Sequence, residues 1–203
     1  CRFDDRINWD LDTKVMIEPV NIEPIWPNGA RLALSIVVNV EEGAEMSVAD
    51  GDSRAEAVDE MGMMVKPGIR NFSNESNYAY GIKAGAPRIM DILTRRNLTA
   101  TFTAAAQSLE RAPDIARRIT DDGHETCAHG YRWQVQHNMD EDAEREFIRR
   151  AAQSIEHTTG TRPVGWLSRY LFTANTRRLL IEEGYRYHMD DYSDDKPFWD
   201  MNT

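Results

Sequence analysis

The chain is poor in cysteine, with Cys1 and Cys127 the two among 203 residues. One opens the sequence and the other sits among small and apolar neighbours. A disulfide framework therefore finds no support, and a reducing, cytoplasmic setting is expected. Long hydrophobic runs are missing too. No stretch approaches the roughly 20 apolar residues that a membrane-spanning helix needs, and no secretory leader pattern opens the chain. The first residue is Cys1 rather than Met, so the natural start is expected upstream. Positive charge is also scarce. Against 34 Asp and Glu stand 24 Lys and Arg, a formal net charge of -10. An acidic surface does not attract phosphate backbones or anionic membranes, so neither nucleic acid nor membrane is an expected partner. The basic islands "RRNLT" and "RPVGWLSR" are too short to change that.

What is present suits one globular domain: 41% hydrophobic residues, 29% charged, and enough length for a sizeable core. Residues 1–25 are polar and read as an N-terminal extension, with the domain over 26–203. "RLALSIVVNV" is a near-continuous apolar, β-branched run ending in Glu41-Glu42-Gly43, the pattern of a strand buried on both faces. From Ala44 to Tyr78 the pattern dissolves into Gly, Asp, Ser, Met and Asn, a loop long enough to be functional. The stretch from Tyr78 to Asn97 reads as a helix, "LTATFTAA" as a strand, and "APDIARRITDDG" as a helix from Pro113 to Gly123. "HETCAHG" is a short strand, and "DEDAEREFIRRAAQSIEHTTG" a long helix with acidic residues in front and Gly160 behind. Further strands at "PVGWLSR" and "YRYHMDD" flank the helix "TANTRRLLIEEG". Alternating strands and helices imply one α/β domain with a parallel sheet.

Parallel α/β folds gather working residues at the C-terminal ends of their strands. Those ends supply Glu41, Glu42, Thr103, His129, Trp166 to Arg169, and Asp190-Asp191. Carboxylates with a histidine and an arginine can activate a water, polarise a carbonyl and hold a polar ligand. Each residue also has a plainer reading. Glu41-Glu42 can be a solvated strand end, and adjacent strand residues face opposite ways, so one alone faces a pocket unless the chain turns. His124, after "DDG", reads as a structural turn residue, and His137 and His157 as surface residues. Trp166, Tyr192 and Trp199 fit a core or an interface as well as a substrate platform.

The order of the stretches "NVEEG", "GHETCAHGYRW" and "TGTRPVGWLSR" resembles the polysaccharide deacetylase (NodB-homology) superfamily, over about Trp26 to Trp199. "WPNGARLALSIVVNVEEGAE", "RNFSNESNYAYGIKAGAPRIMDIL" and "YSDDKPFW" add a likeness to its branch of metal-independent allantoinases, cyclic imidases and peptidoglycan-deacetylase-like proteins. The resemblance implies a distorted (β/α) barrel, incomplete at its C-terminus, with the family's general-acid histidine falling after residue 203. Glu41 matches the family's base Asp, Glu42 its metal-ligand Asp, and His129 its first metal histidine. The second metal histidine falls on Trp133, which cannot coordinate. Glu42 and His129 are left as the only metal candidates, two where such sites want at least three. The expected cofactor is accordingly none, or a weakly bound zinc.

The implied activity is hydrolysis of a non-peptide carbon–nitrogen bond in a small linear or cyclic amide, a ureide or imide such as allantoin. Glu41 or Glu42 activates water, His129 stabilises the oxyanion, and Arg169 holds a substrate carbonyl or carboxylate. Glu75, Tyr80, Trp133, Trp166 and Asp191 are the expected substrate contacts. The alternatives are a metal-dependent N-deacetylase of polysaccharide or peptidoglycan, and a non-catalytic relative that binds a ligand or partner. A homo-oligomer is expected, with "YSDDKPFW" as an association surface.

Overall fold

The computed structural model describes residues 26–57, 64–194 and 197–200. The chain divides into two units, Cys1–Leu34 and Ser35–Thr203. In the first, Pro27–Gly29 forms a single 3-10 turn spanned by a bridge from Trp26 to Ala30. The extension expected over 1–25 lies outside the described residues.

In the second unit five parallel strands run in the order β1 (Val37–Val40), β2 (Thr101–Ala104), β3 (Glu125–Ala128), β4 (Gly165–Trp166) and β5 (Tyr187–His188). Sequence neighbours are sheet neighbours throughout. Right-handed crossovers in that order lay every helix on one face, the arrangement of an arc of a (β/α) barrel. The crossovers carry α1 (Phe72–Tyr80), a π-helical turn (Gly81–Gly85), α2 (Ala86–Arg96), α3 (Ala106–Arg111), α4 (Pro113–Asp121), α5 (Glu141–Thr159) and α6 (Thr176–Glu182).

Local chemistry explains the helix limits. Pro113 opens α4, where its missing N–H costs nothing. Asp140 caps α5 by accepting from the Ala143 N–H at 2.9 Å, and Gly160 ends it in the left-handed region at φ 76°. Asn97 ends α2 the same way, at φ 51°.

The two-residue period of the strands sorts their side chains. Val40, Phe102, Ala104, Ala128 and Trp166 join Met90, Ile119, Ile148, Ile155 and Leu179 in one buried core beneath the helices. The opposite face carries Val37 at the sheet edge, then Asn39, Thr101, Thr103, Glu125, Cys127, Gly165 and Tyr187. Thr101 Oγ1 and the Tyr187 hydroxyl both donate to Glu125 at 2.8 Å, and a side chain at Gly165 would collide with the Tyr187 ring. This inner face is polar, as a barrel lumen is.

Two sequence expectations change here. β1 covers only Val37–Val40, and Val37 is exposed while Val40 is buried, so the strand is covered on one face and lies at the sheet edge. Within 44–78, helix α1 already begins at Phe72. Its buried side chain is Asn74 rather than an apolar residue, so no hydrophobic period marks it.

Candidate active site

The C-terminal ends of β1 to β4 meet around Glu41 and His129. Just past β1 the chain turns, with the Ala44 N–H donating to the Glu41 carbonyl at 3.0 Å and Gly43 at φ 91°. Adjacent residues at a strand end face opposite ways, so the two carboxylates part. Glu41 Oε1 accepts from Asn39 Nδ2 at 2.9 Å and meets His129 Nε2 at 3.1 Å. Asn39 is itself oriented by Thr103, whose hydroxyl donates to Asn39 Oδ1 at 2.5 Å. A polar chain thus runs from Thr103 through Asn39 and Glu41 to His129.

His129 follows β3 directly. Gly130, at φ 84°, passes so close beneath Phe147 that a Cβ there would strike its ring. His129 Nδ1 lies 2.7 Å from the Leu167 carbonyl. A carbonyl only accepts, so Nδ1 carries a proton and Nε2 faces Glu41. A carboxylate also only accepts. The Nε2–Oε1 contact therefore holds one proton, either on an imidazolium facing a carboxylate or on a carboxylic acid facing a neutral imidazole.

Glu42 goes elsewhere. Its Oε2 accepts the Glu41 backbone N–H at 3.1 Å, and its carboxylate lies where a Cβ on Gly81 would stand. The pairing of Glu42 with His129, expected for a metal, is replaced by Glu41 with His129.

Arg169 follows β4 and precedes Tyr170, a non-glycine residue at φ 56° whose strain is of the kind that collects at functional sites. The turn lays the Arg169 guanidinium 3.7 Å from the Trp133 ring centroid and aims it at Glu56, with Arg169 Nη2 donating to Glu56 Oε1 at 2.9 Å. Nη1 donates to Glu56 Oε2 at 3.3 Å and to the Trp133 carbonyl. Glu56 is 5% exposed and Arg169 14%. The fork expected to grip substrate is already committed, because a buried carboxylate 113 residues away in sequence has taken it. Trp133 is fixed on both sides, with Tyr78 meeting its ring edge-on at a centroid distance of 6.4 Å.

The remaining expected contacts divide. Trp166 is fully buried and packs edge-to-face on Phe147 and Tyr185, with Nε1 donating to Ser168. Its period places it under the helices, so it is core and not a substrate platform. Asp191 pairs with Arg177 at 2.8 Å and accepts from the Ser193 N–H, whose hydrogen bonds hold its carboxyl below the usual range. Glu75 pairs with Arg70 at 2.6 Å and borders a cavity of about 10 Å³ shared with Glu45, Glu56 and Tyr78. Tyr80 is 54% exposed and accepts from Arg88 Nη1 at 2.5 Å.

His137 and His157 are exposed, as their surface reading anticipates, whereas His124, expected to hydrogen-bond at its turn, is buried against Phe102 at 5.1 Å with neither ring nitrogen hydrogen-bonded to a described residue. Asn39, Tyr78 and Glu56 were not anticipated. An alternating strand places Asn39 on the same face as Glu41, and that signal was available in the sequence.

A divalent ion of the kind the resemblance implies needs about three donors. His129 spends both ring nitrogens, Glu42 is turned toward Gly81, and Trp133 offers no lone pair and carries a guanidinium on its face. Among the described residues no three His, Cys, Asp or Glu side chains are grouped to hold a metal. The donors present do not fit one.

The family model for polysaccharide deacetylases matches residues 76–188, more than half the chain. The chain belongs to the polysaccharide deacetylase family. These are hydrolases of carbon–nitrogen bonds other than peptide bonds. A "probable Polysaccharide deacetylase" from Pseudomonas aeruginosa PAO1 superposes with a TM-score of 0.82 at 43% identity, covering 89% of this chain and 61% of that one. A Puue allantoinase superposes with a TM-score of 0.79 at 41% identity, covering 89% and 60%. The peptidoglycan deacetylase of Helicobacter pylori is 28% identical over 58% of this chain and 41% of its own length. The chain thus spans about three fifths or less of these relatives. No helix among its described residues is long and apolar enough to cross a membrane.

Proposed function

We propose that this member of the family hydrolyses a small linear or cyclic amide, a ureide or imide such as allantoin, with a carboxylate rather than a metal ion activating the water. The observation that carries the reading is the Glu41–His129 contact, with His129 Nδ1 fixed on the Leu167 carbonyl. In this reading Glu41 takes a proton from the attacking water as the water oxygen bonds the carbonyl carbon. The same proton passes to the nitrogen as the carbon–nitrogen bond breaks, which yields a carboxylic acid and an amide from an imide, or a urea from a ureide. His129 and Asn39 hold the carboxylate in line. Likeness to the allantoinase supports the substrate class.

Elemental analysis and a substrate panel test the reading together. Purified protein is assayed on allantoin, simple imides and N-acetylglucosamine oligomers, with Glu41→Gln alongside. Loss of about 10²-fold or more in the variant is expected, the usual contribution of a general base. Full activity of Glu41→Gln on every substrate, or a stoichiometric zinc that tracks with activity, overturns it. The latter outcome is the second reading, metal-dependent N-deacetylation of a polysaccharide, which the named activity of the Helicobacter pylori relative favours. The proposal includes a homo-oligomer in the cytoplasm, with the exposed Tyr192 and Trp199 as the association surface.

A further inference from the structure

On the reading that Glu41 activates water, we propose that Tyr78 is a further catalytic residue, whose phenolic O–H donates to the oxygen of the scissile carbonyl. Asn74, Tyr78 and Gly81 stand at i, i+4 and i+7, so they share one face across the end of α1. The outer two locate that face. Asn74 Nδ2 donates to the Glu56 and Ala57 carbonyls at 3.3 Å, and Gly81 lies against the Glu42 carboxylate. Tyr78, between them, borders a small cavity with Glu45 and Glu56, and its ring meets Trp133 edge-on.

Among the described residues the hydroxyl has no hydrogen-bond partner. Tyr80 is bonded to Arg88, Tyr131 to Glu110 and Tyr187 to Glu125, whereas no described residue engages the half-buried Tyr78 oxygen. Burial, together with the charges of Glu56, Glu45 and Glu41, pushes the phenol well above its ordinary range, so it stays a neutral donor. A donor that cannot ionise, beside a water-activating carboxylate and an arginine, is equipped to stabilise an oxyanion. Tyr80, two residues on, lies off that face and cannot substitute.

The test compares Tyr78→Phe, Tyr80→Phe and Glu41→Gln with the wild type. Phenylalanine keeps the ring and its edge contact with Trp133, and a thermal melt checks the fold. Tyr78→Phe should lower kcat about 10²-fold with KM little changed, the cost of one oxyanion donor, while Tyr80→Phe stays at wild-type rate. Tyr78→Phe within twofold of wild type, with Glu41→Gln inactive, overturns the role of Tyr78 and leaves the parent reading standing. Should the wild type turn over no substrate, the parent reading fails, and ultraviolet titration at 295 nm decides the placement of Tyr78. The difference between wild type and Tyr78→Phe should report a phenol ionising above free tyrosine and moving down in Glu41→Gln. No response to Glu41→Gln overturns the placement.

Discussion

The Arg169–Glu56 pair invites a quantitative test, because burial decides what an ion pair is worth. Glu56 and Arg169 are 5% and 14% exposed, and the guanidinium is also stacked on Trp133. Glu56→Ala leaves that guanidinium with one backbone carbonyl and no counter-charge in a largely dry site. Breaking a buried pair from one side costs about 3–5 kcal/mol. In a chain of this size each kcal/mol moves the melting temperature by about 2–4 °C, so the expected fall is about 6–20 °C. Arg117–Asp114 is the internal control. Its partners are 63% and 91% exposed, and Asp114→Ala should cost about 0–1 kcal/mol. The double variant Glu56→Gln/Arg169→Met removes both charges and should recover a large part of the loss, since the penalty lies in the unpaired charge. Urea unfolding followed by circular dichroism and by tryptophan fluorescence measures all four proteins. A cost for Glu56→Ala no larger than that for Asp114→Ala would refute the reasoning.

Two further outcomes follow from the same geometry. Burial pushes the Cys127 thiol up to about 12, so iodoacetamide at pH 8 should leave it intact in native protein and modify it readily in denaturant; rapid native labelling contradicts its placement on β3. The two-pronged hydrogen bond from Arg132 to Asp52, at 3.0 and 2.7 Å, holds that carboxyl below its usual range. A depressed carboxyl stabilises the fold above its unfolded value and loses that contribution as pH falls through its folded one. Asp52→Asn should therefore cost about 1–3 kcal/mol at neutral pH, with the gap to wild type closing below about pH 4. A gap independent of pH down to acid unfolding would count against the pair.

Much of this arrangement is local and therefore readable in one dimension. The βα alternation, the caps at Asp140 and Gly160 and the delivery of Glu41 to a strand end all follow from short-range periodicity and turn chemistry. The missed parts depend on residues far apart. No pattern around Arg169 reveals that Glu56 has taken its hydrogen bonds, and a tryptophan near a strand end looks alike whether it faces helices or lumen. Tyr78 went unremarked for a related reason. The face that runs through Asn74, Tyr78 and Gly81 is polar and carries no hydrophobic stripe, so the start of α1 went unmarked. The choice between Glu41 and Glu42 rested on strand parity, since Glu41 shares a face with Asn39.

A sheet whose spatial order repeats its sequence order also sets a timetable. Thr101 and Glu125 close a separation of 24 residues, Asn39 and Thr103 one of 64, and Glu41 and His129 one of 88. Closing 64 residues instead of 24 costs about 0.9 kcal/mol more chain entropy, so β2 and β3 are favoured to meet before β1 joins them. The proton shared by Glu41 and His129 depends on that last strand. On the proposed reading, activity is thus gated by the completion of folding, because a half-formed sheet does not yet bring Glu41 to His129.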